Sequence, residues 1–187
     1  MNKIFLALIS LGFCLSACST RPQAQSVLIA GGGNHTCALS GDGGVKCWGS
    51  NQSGQLGNGT WTDSASPVAV ASLASDIIAV AAGGRHSCAL GADGSVRCWG
   101  DNDAGQLGNG APGSNPVPVN VSGMGHGMVA IAAGDQFSCA LDAQGGVRCW
   151  GANDQGQLGN GKLTGSLVPV AVYGLDSGIS ADRKSVV

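Results

Sequence analysis

The sequence predicts an all-β protein made of stacked four-stranded antiparallel units, and three observations carry that reading. The same segment appears three times at a step of 51 residues, marked by Cys37, Cys88 and Cys139 and again by Cys47, Cys98 and Cys149. Short apolar runs alternate with glycine-rich turns, and no segment has the 3.6-residue apolar spacing of an amphipathic helix. The step is kept without insertion by the pairs Trp48-Gly49, Trp99-Gly100 and Trp150-Gly151, by the GQLGNG runs at Gly54, Gly105 and Gly156, and by Pro67, Pro118 and Pro169. A unit this small cannot bury an apolar face alone, so copies must stack.

Composition narrows the chemistry. The 187 residues carry a formal charge of -2, which gives no electrostatic reason to expect nucleic acid as a partner. All 11 acidic residues are Asp. The absence of Glu removes the closing ligand of an EF-hand loop and every glutamate general acid or base.

Residues 1–17 read as a lipoprotein signal peptide. Lys3 supplies the positive start, and the apolar run over 4–15 is too short to span a bilayer. Leu15-Ser16-Ala17-Cys18 resembles the bacterial lipobox. That resemblance implies lipidation of Cys18 with chains such as palmitate, and a lipidated N-terminus with a polar tether over 18–26. It places the protein in the cell envelope, and Ser19 implies outer-membrane sorting if the source is Gram-negative. Acyl chains contribute roughly 0.8 kcal/mol per buried methylene, enough for several to hold the chain durably. The alternative is an ordinary secretory signal in which Cys18 is incidental.

Of the 8 cysteines, Cys14 leaves with the leader and Cys18 takes the lipid, which leaves two per repeat. Each pair flanks a short Gly- and Asp-rich turn, centred on Asp42 or Asp93 in the first two repeats. Residues opposed across such a hairpin have Cα atoms about 4.5–5.5 Å apart, within disulfide reach. The expected bonds are Cys37–Cys47, Cys88–Cys98 and Cys139–Cys149, each worth on the order of 3 kcal/mol. Reduced core cysteines and metal ligation are the alternatives. His35 and His86 could complete a zinc set with the cysteines, but Phe137 fills the same place in the third repeat, which points to an aromatic packing position.

Within the second repeat, strands are expected over 77–82, 86–90, 95–99 and 116–121, the last an edge strand because it contains proline. Four antiparallel strands with a tryptophan free to pack against the next unit describe a propeller blade. Trp48, Trp99 and Trp150, with Leu56, Leu107 and Leu158, are the expected repeat-packing residues. The repeats are divided at about 30–80, 81–131 and 132–181, within a repeat region of 27–181.

His86-Ser87-Cys88-Ala89-Leu90, Gly94-Ser95-Val96-Arg97-Cys98-Trp99-Gly100 and Asn102 followed by Gly105-Gln106-Leu107-Gly108, each with two echoes, resemble the regulator of chromosome condensation repeats. The likeness includes the alpha-tubulin suppressor-like proteins and a secreted or lipoprotein bacterial branch. It implies a seven-bladed β-propeller, of which about three blades are present, and the role of an interaction scaffold. Guanine nucleotide exchange, known for one eukaryotic branch, is not implied, because what matches here is blade scaffold.

No residue is assigned a catalytic, cofactor-binding or metal-ligating role. The GQLGNG loops lack the Lys-Ser/Thr pair of a phosphate loop and read as structural turns. Asp101 and Asp103 suggest a calcium loop, but the other repeats lack the pair. Asn51, Asn102 and Asn153 are expected to hydrogen-bond local backbone. Lys46, Arg97 and Arg148 are expected to lay their stems on neighbouring tryptophan rings, with an anion-binding stripe as the alternative. His126, in a loop without counterparts, belongs to no triad.

After residue 179 the pattern calls for a fresh apolar strand, but the chain reads Ser180-Ala181-Asp182-Arg183-Lys184-Ser185-Val186-Val187. The segment 182–187 can be encoded codon for codon by the start of a common sequencing adapter, so a non-native tail on an incomplete ring is expected. The functional expectation is a lipid-anchored scaffold without catalysis. Its partner is an unidentified macromolecule, expected to be a protein, and open blade edges offer self-association. An extracellular enzyme or carbohydrate-binding module, and a structural self-assembling repeat protein, are the alternatives. Trp61 and His126 mark the loops that differ most between repeats.

Overall fold

The computed structural model describes residues 29–179. The leader, Cys18, the tether and the tail 182–187 lie outside the described residues.

Among the described residues, twelve strands form three four-stranded antiparallel sheets. The first sheet holds β1 (Ile29–Gly31), β2 (His35–Leu39), β3 (Val45–Gly49) and β4 (Ser64–Ala69). The second holds β5 (Ile77–Ala82), β6 (His86–Gly91), β7 (Val96–Gly100) and β8 (Asn115–Asn120). The third holds β9 (Met128–Ala133), β10 (Phe137–Asp142), β11 (Val147–Gly151) and β12 (Ser166–Ala171). Each sheet runs in sequence order, as in a propeller blade, and β5 contacts its counterparts β1 and β9 in the adjoining sheets. The described sheets start at Ile29, Ile77 and Met128, so divisions at about 80/81 and 131/132 fall within β5 and β9.

Strand alternation gives each blade two different faces. On the first blade Cys37, Val45 and Cys47 share one buried core with Leu56, Val70 and Leu73, and the next blade closes that core with Val80, Ala89 and Trp99. The second joint repeats the design: Cys88, Leu90, Val96, Cys98, Leu107, Val121 and Met124 meet Ala140 and Trp150. The cysteine face of one blade therefore packs on the tryptophan face of the next. Burying an indole contributes on the order of 4–6 kcal/mol of gross apolar transfer.

The Trp-Gly and GQLGNG signatures follow from this packing. The ladder between the third and fourth strands shifts register at Trp48, Trp99 and Trp150. Gly57 lies under the indole of Trp99, where a Cβ would stand 2.7 Å from Nε1, and Gly108 lies equally close under Trp150. No side chain larger than hydrogen fits there.

Candidate functional site

Two places carry more than scaffold: the joint between blades and the rim formed by the loops after each third strand.

At the first joint the Ser87 hydroxyl is fully buried and is the centre of a chain of hydrogen bonds. It donates to the Gln55 carbonyl at 3.1 Å, and the indole Nε1 of Trp99 donates to the same carbonyl at 2.9 Å. With its single proton committed, Ser87 accepts from His35 Nε2–H at 2.8 Å, which assigns the imidazole its Nε2–H tautomer. The second joint reproduces the set: His86 Nε2 to Ser138 Oγ at 2.8 Å, Ser138 to the Gln106 carbonyl at 3.1 Å, and Trp150 Nε1 to that carbonyl at 2.8 Å. Both Nδ1 atoms are buried and have no hydrogen-bond partner. Burial lowers both histidines from 6.5 to about 4; for His86 the neighbouring His35 adds to the effect and Asp101 opposes it.

The structure brings each predicted cysteine pair into one bond: Cys37–Cys47, Cys88–Cys98 and Cys139–Cys149 sit directly opposite in register. Trp99 and Trp150 are fully buried at the joints, while Trp48 is part-exposed on the outer face of the first blade; Leu56, Leu107 and Leu158 are fully buried. Phe137 occupies the slot of His35 and His86, and a Cβ on Gly134 would meet its ring as a Cβ on Gly32 or Gly83 would meet an imidazole. The slot therefore does pack a ring, as expected. Its histidines additionally bridge to the next blade, a role the sequence reading missed. Arg97 reaches back across the joint to the Ser72 carbonyl at 3.3 Å, while Lys46 and Arg148 are exposed.

The rim is built around the three asparagines, which do bond local backbone. Asn51 Oδ1 accepts from Leu56 N at 2.9 Å, and its Nδ2 donates to the carbonyls of Thr60 at 2.9 Å and Thr62 at 3.1 Å. Those two carbonyls flank Trp61, whose side chain is 49% exposed. Asn153 likewise takes Leu158 N at 2.8 Å and donates to the carbonyls of Lys162 at 2.9 Å and Thr164 at 3.0 Å, which flank Leu163, 69% exposed. Asn102 takes Leu107 N and holds the Ala111 carbonyl at 2.6 Å, beside the exposed Pro112. Trp61, Pro112 and Leu163 stand at one repeat register. The same loops bridge to the next blade, with Gly59 N on the Pro116 carbonyl at 2.9 Å and Gly110 N on the Leu167 carbonyl at 3.0 Å. A row of apolar side chains of differing shape is thus offered to solvent on loops whose carbonyls are clamped by the asparagines. That arrangement suits contact with another macromolecule. His126 lies exposed in the crossover between β8 and β9, at the opposite end of the sheets.

Among the described residues there is no group of three or more His, Cys or Asp able to hold a metal ion. Nor is any helix among them long and apolar enough to cross a membrane.

Family models described as Regulator of chromosome condensation (RCC1) repeat match residues 42–90, 93–141 and 144–183, and, in a second version, 27–55, 77–106 and 128–157. The chain is 39% identical over 155 residues to the Homo sapiens protein named Probable E3 ubiquitin-protein ligase HERC3, covering 81% of this chain and 15% of the relative. It is 34% identical over 155 residues to Homo sapiens E3 ubiquitin-protein ligase HERC2, covering 81% of this chain and 3% of the relative. Among solved structures, human WBSCR16 matches with a TM-score of 0.70 and 31% identity over 78% of this chain and 37% of its own. Prp20p from Saccharomyces cerevisiae, described with its binding to Gsp1p and histones, matches with a TM-score of 0.69 and 27% identity over 77% of this chain and 37% of its own. The chain therefore spans a small part of these ligases and about a third of the solved propellers.

Proposed function

The chain belongs to the regulator of chromosome condensation (RCC1) repeat family, and from that premise we propose that it is a protein-binding scaffold, held at the cell envelope through lipid on Cys18 and without catalytic activity of its own. The observation that carries this reading is the clamped row Trp61, Pro112 and Leu163. Exposed apolar side chains on immobilised loops lose little entropy on binding, and aromatic residues dominate protein interfaces. Prp20p, whose described partners are proteins, supports the same use of the fold. The ligase relatives share only the repeats with this chain, so ligase activity is not carried over. The membrane assignment rests on the leader and on Cys18, and the outer membrane is the destination if the source is Gram-negative. Self-association is a second reading, favoured by one observation: the first blade's Trp48 face and the third blade's Cys139–Cys149 face are the two halves of the joint that the blades already use.

A photoreactive residue at position 61 or 163, in intact envelopes, is expected to give one discrete protein adduct, the same from both sites and absent from position 126. No adduct from either rim site would overturn the scaffold reading. Cys18→Ala is expected to release the chain into the soluble fraction. Sedimentation velocity across a concentration series tests self-association, and a concentration-independent monomer removes it.

A further inference from the structure

Each joint has one hydrogen-bond direction open to it. Ser87 gives its proton to Gln55 and Ser138 gives its proton to Gln106, so each serine oxygen can only accept from the imidazole. His35 and His86 therefore carry a proton on Nε2, and whether they are charged turns on Nδ1. A second proton would sit on Nδ1, which in both residues is buried and makes no hydrogen bond. An unpaired buried cation is far costlier than an unpaired neutral nitrogen. The charge would also lie on the seam itself, against the Trp99 and Trp150 faces, since the serine partner belongs to the next blade.

We propose that His35 and His86 are acid-sensitive latches, closed when neutral and opened by protonation, so that acid loosens the blade array at both joints together. The charged groups around them do not rescue the cation. His86 faces Asp101, which favours the charged form, and His35, which disfavours it, with burial outweighing both. Arg85 and Asp135, on the turns beside the second joint, are exposed. His35 in turn faces His86, and burial is what lowers it.

The sign follows from the two states. In the opened joint an imidazole takes a proton near its ordinary 6.5, while in the closed joint it resists until about 4. Between those values the open state binds more protons, so the closed state is fully favoured above pH 6.5 and is progressively lost as pH falls toward 4. At pH 5 the linkage amounts to about 30-fold per joint in the open/closed ratio. The third repeat has Phe137 in the same slot, so Phe is a replacement the blade accommodates.

The test compares the full-length chain in detergent with the His35→Phe/His86→Phe variant between pH 7.5 and 4.5. Hydrogen exchange of β5 and β9 and tryptophan emission are the readouts. The wild type is expected to open by about 30-fold per joint at pH 5 relative to pH 7.5, with red-shifted emission, while the variant stays flat above pH 5. Equal acid responses in both proteins, or none in the wild type, would overturn the proposal. Should the variant fail to fold, NMR titration of the wild-type imidazoles decides. Nε2–H tautomers that resist protonation until joint exchange rises support the latch; titration near 6.5 with no change in exchange refutes it.

Discussion

Ser72 and Asp76 give the structure an internal experiment. Both adopt left-handed backbone, with φ of 59° and 63°, in the crossover from β4 to β5. The corresponding residues of the second repeat are Gly123 and Gly127, and of the third Gly174 and Gly178, with φ between 71° and 87°. A non-glycine residue in this region costs about 1–2 kcal/mol, whereas glycine returns about 0.5–1 kcal/mol to the unfolded chain. Ser72→Gly should therefore stabilise by about 0.5–1 kcal/mol. Its carbonyl still accepts from Arg97, because that bond uses backbone. Asp76→Gly should gain less, since aspartate tolerates the conformation better and the Ser75 Oγ to Asp76 Oδ2 bond of 2.8 Å is lost at the surface. The reverse changes are equally clean. A Cβ on Gly123 or Gly127 meets nothing within 4 Å, so Gly123→Ser and Gly127→Asp test backbone strain alone. Scanning calorimetry should show Ser72→Gly raising Tm by about 1–3 °C and Gly123→Ser lowering it by a similar amount. The exchanged pair, Ser72→Gly with Gly123→Ser, should return close to the parent. A fall in Tm for Ser72→Gly, or no loss for Gly123→Ser, would refute the strain argument.

Three further outcomes are expected. Replacing Cys88 and Cys98 by alanine should lower stability by about 2–3 kcal/mol, the chain-entropy value for so short a loop, read as a denaturant midpoint shift with unchanged secondary structure. Trp99→Phe should cost about 1–3 kcal/mol, because it opens space at a fully buried site and removes the bond to the Gln55 carbonyl, while Trp48→Phe, part-exposed, should cost less than half as much in the same melt. Asn102→Ala should cost about 2–4 kcal/mol and speed hydrogen exchange of Leu107 N, whose carbonyl-like acceptor is the asparagine side chain; wild-type exchange at that amide would count against the clamp.

Much of the blade was legible because its signals are local. The strand expected over 77–82 is β5 residue for residue, and the expected 86–90 differs from β6 by one residue at its end. The opposition of Cys88 and Cys98 follows from an odd-length hairpin, and the asparagine contacts close within a dozen residues of sequence. What escaped was contact between repeats. A 51-residue period sets the length of a unit but not its phase, so the divisions landed inside β5 and β9. The histidine bridge joins position 35 to 87 and 86 to 138, one residue beyond the repeat step, and Phe137 masks it by sharing the slot without the polar atom. Trp61, Pro112 and Leu163 share no chemistry that marks them as equivalent; the asparagine-held carbonyls on both sides of Trp61 and Leu163, and before Pro112, do.

The division of labour between joint and rim follows from how each position is constrained. A joint residue answers to two blades at once: Gly57 must leave room for Trp99, and Ser87 must serve His35 and Gln55 together, so few side chains are compatible. Position 61 is constrained only through its neighbours' carbonyls, which any residue supplies. The carbonyls on both sides of it are held by Asn51, while its own side chain is half exposed to solvent. Rigid presentation with unrestricted identity is the condition under which a repeated scaffold can acquire a partner without redesign, which is why the proposed contact lies on the rim rather than in the GQLGNG turns repeated through the sequence.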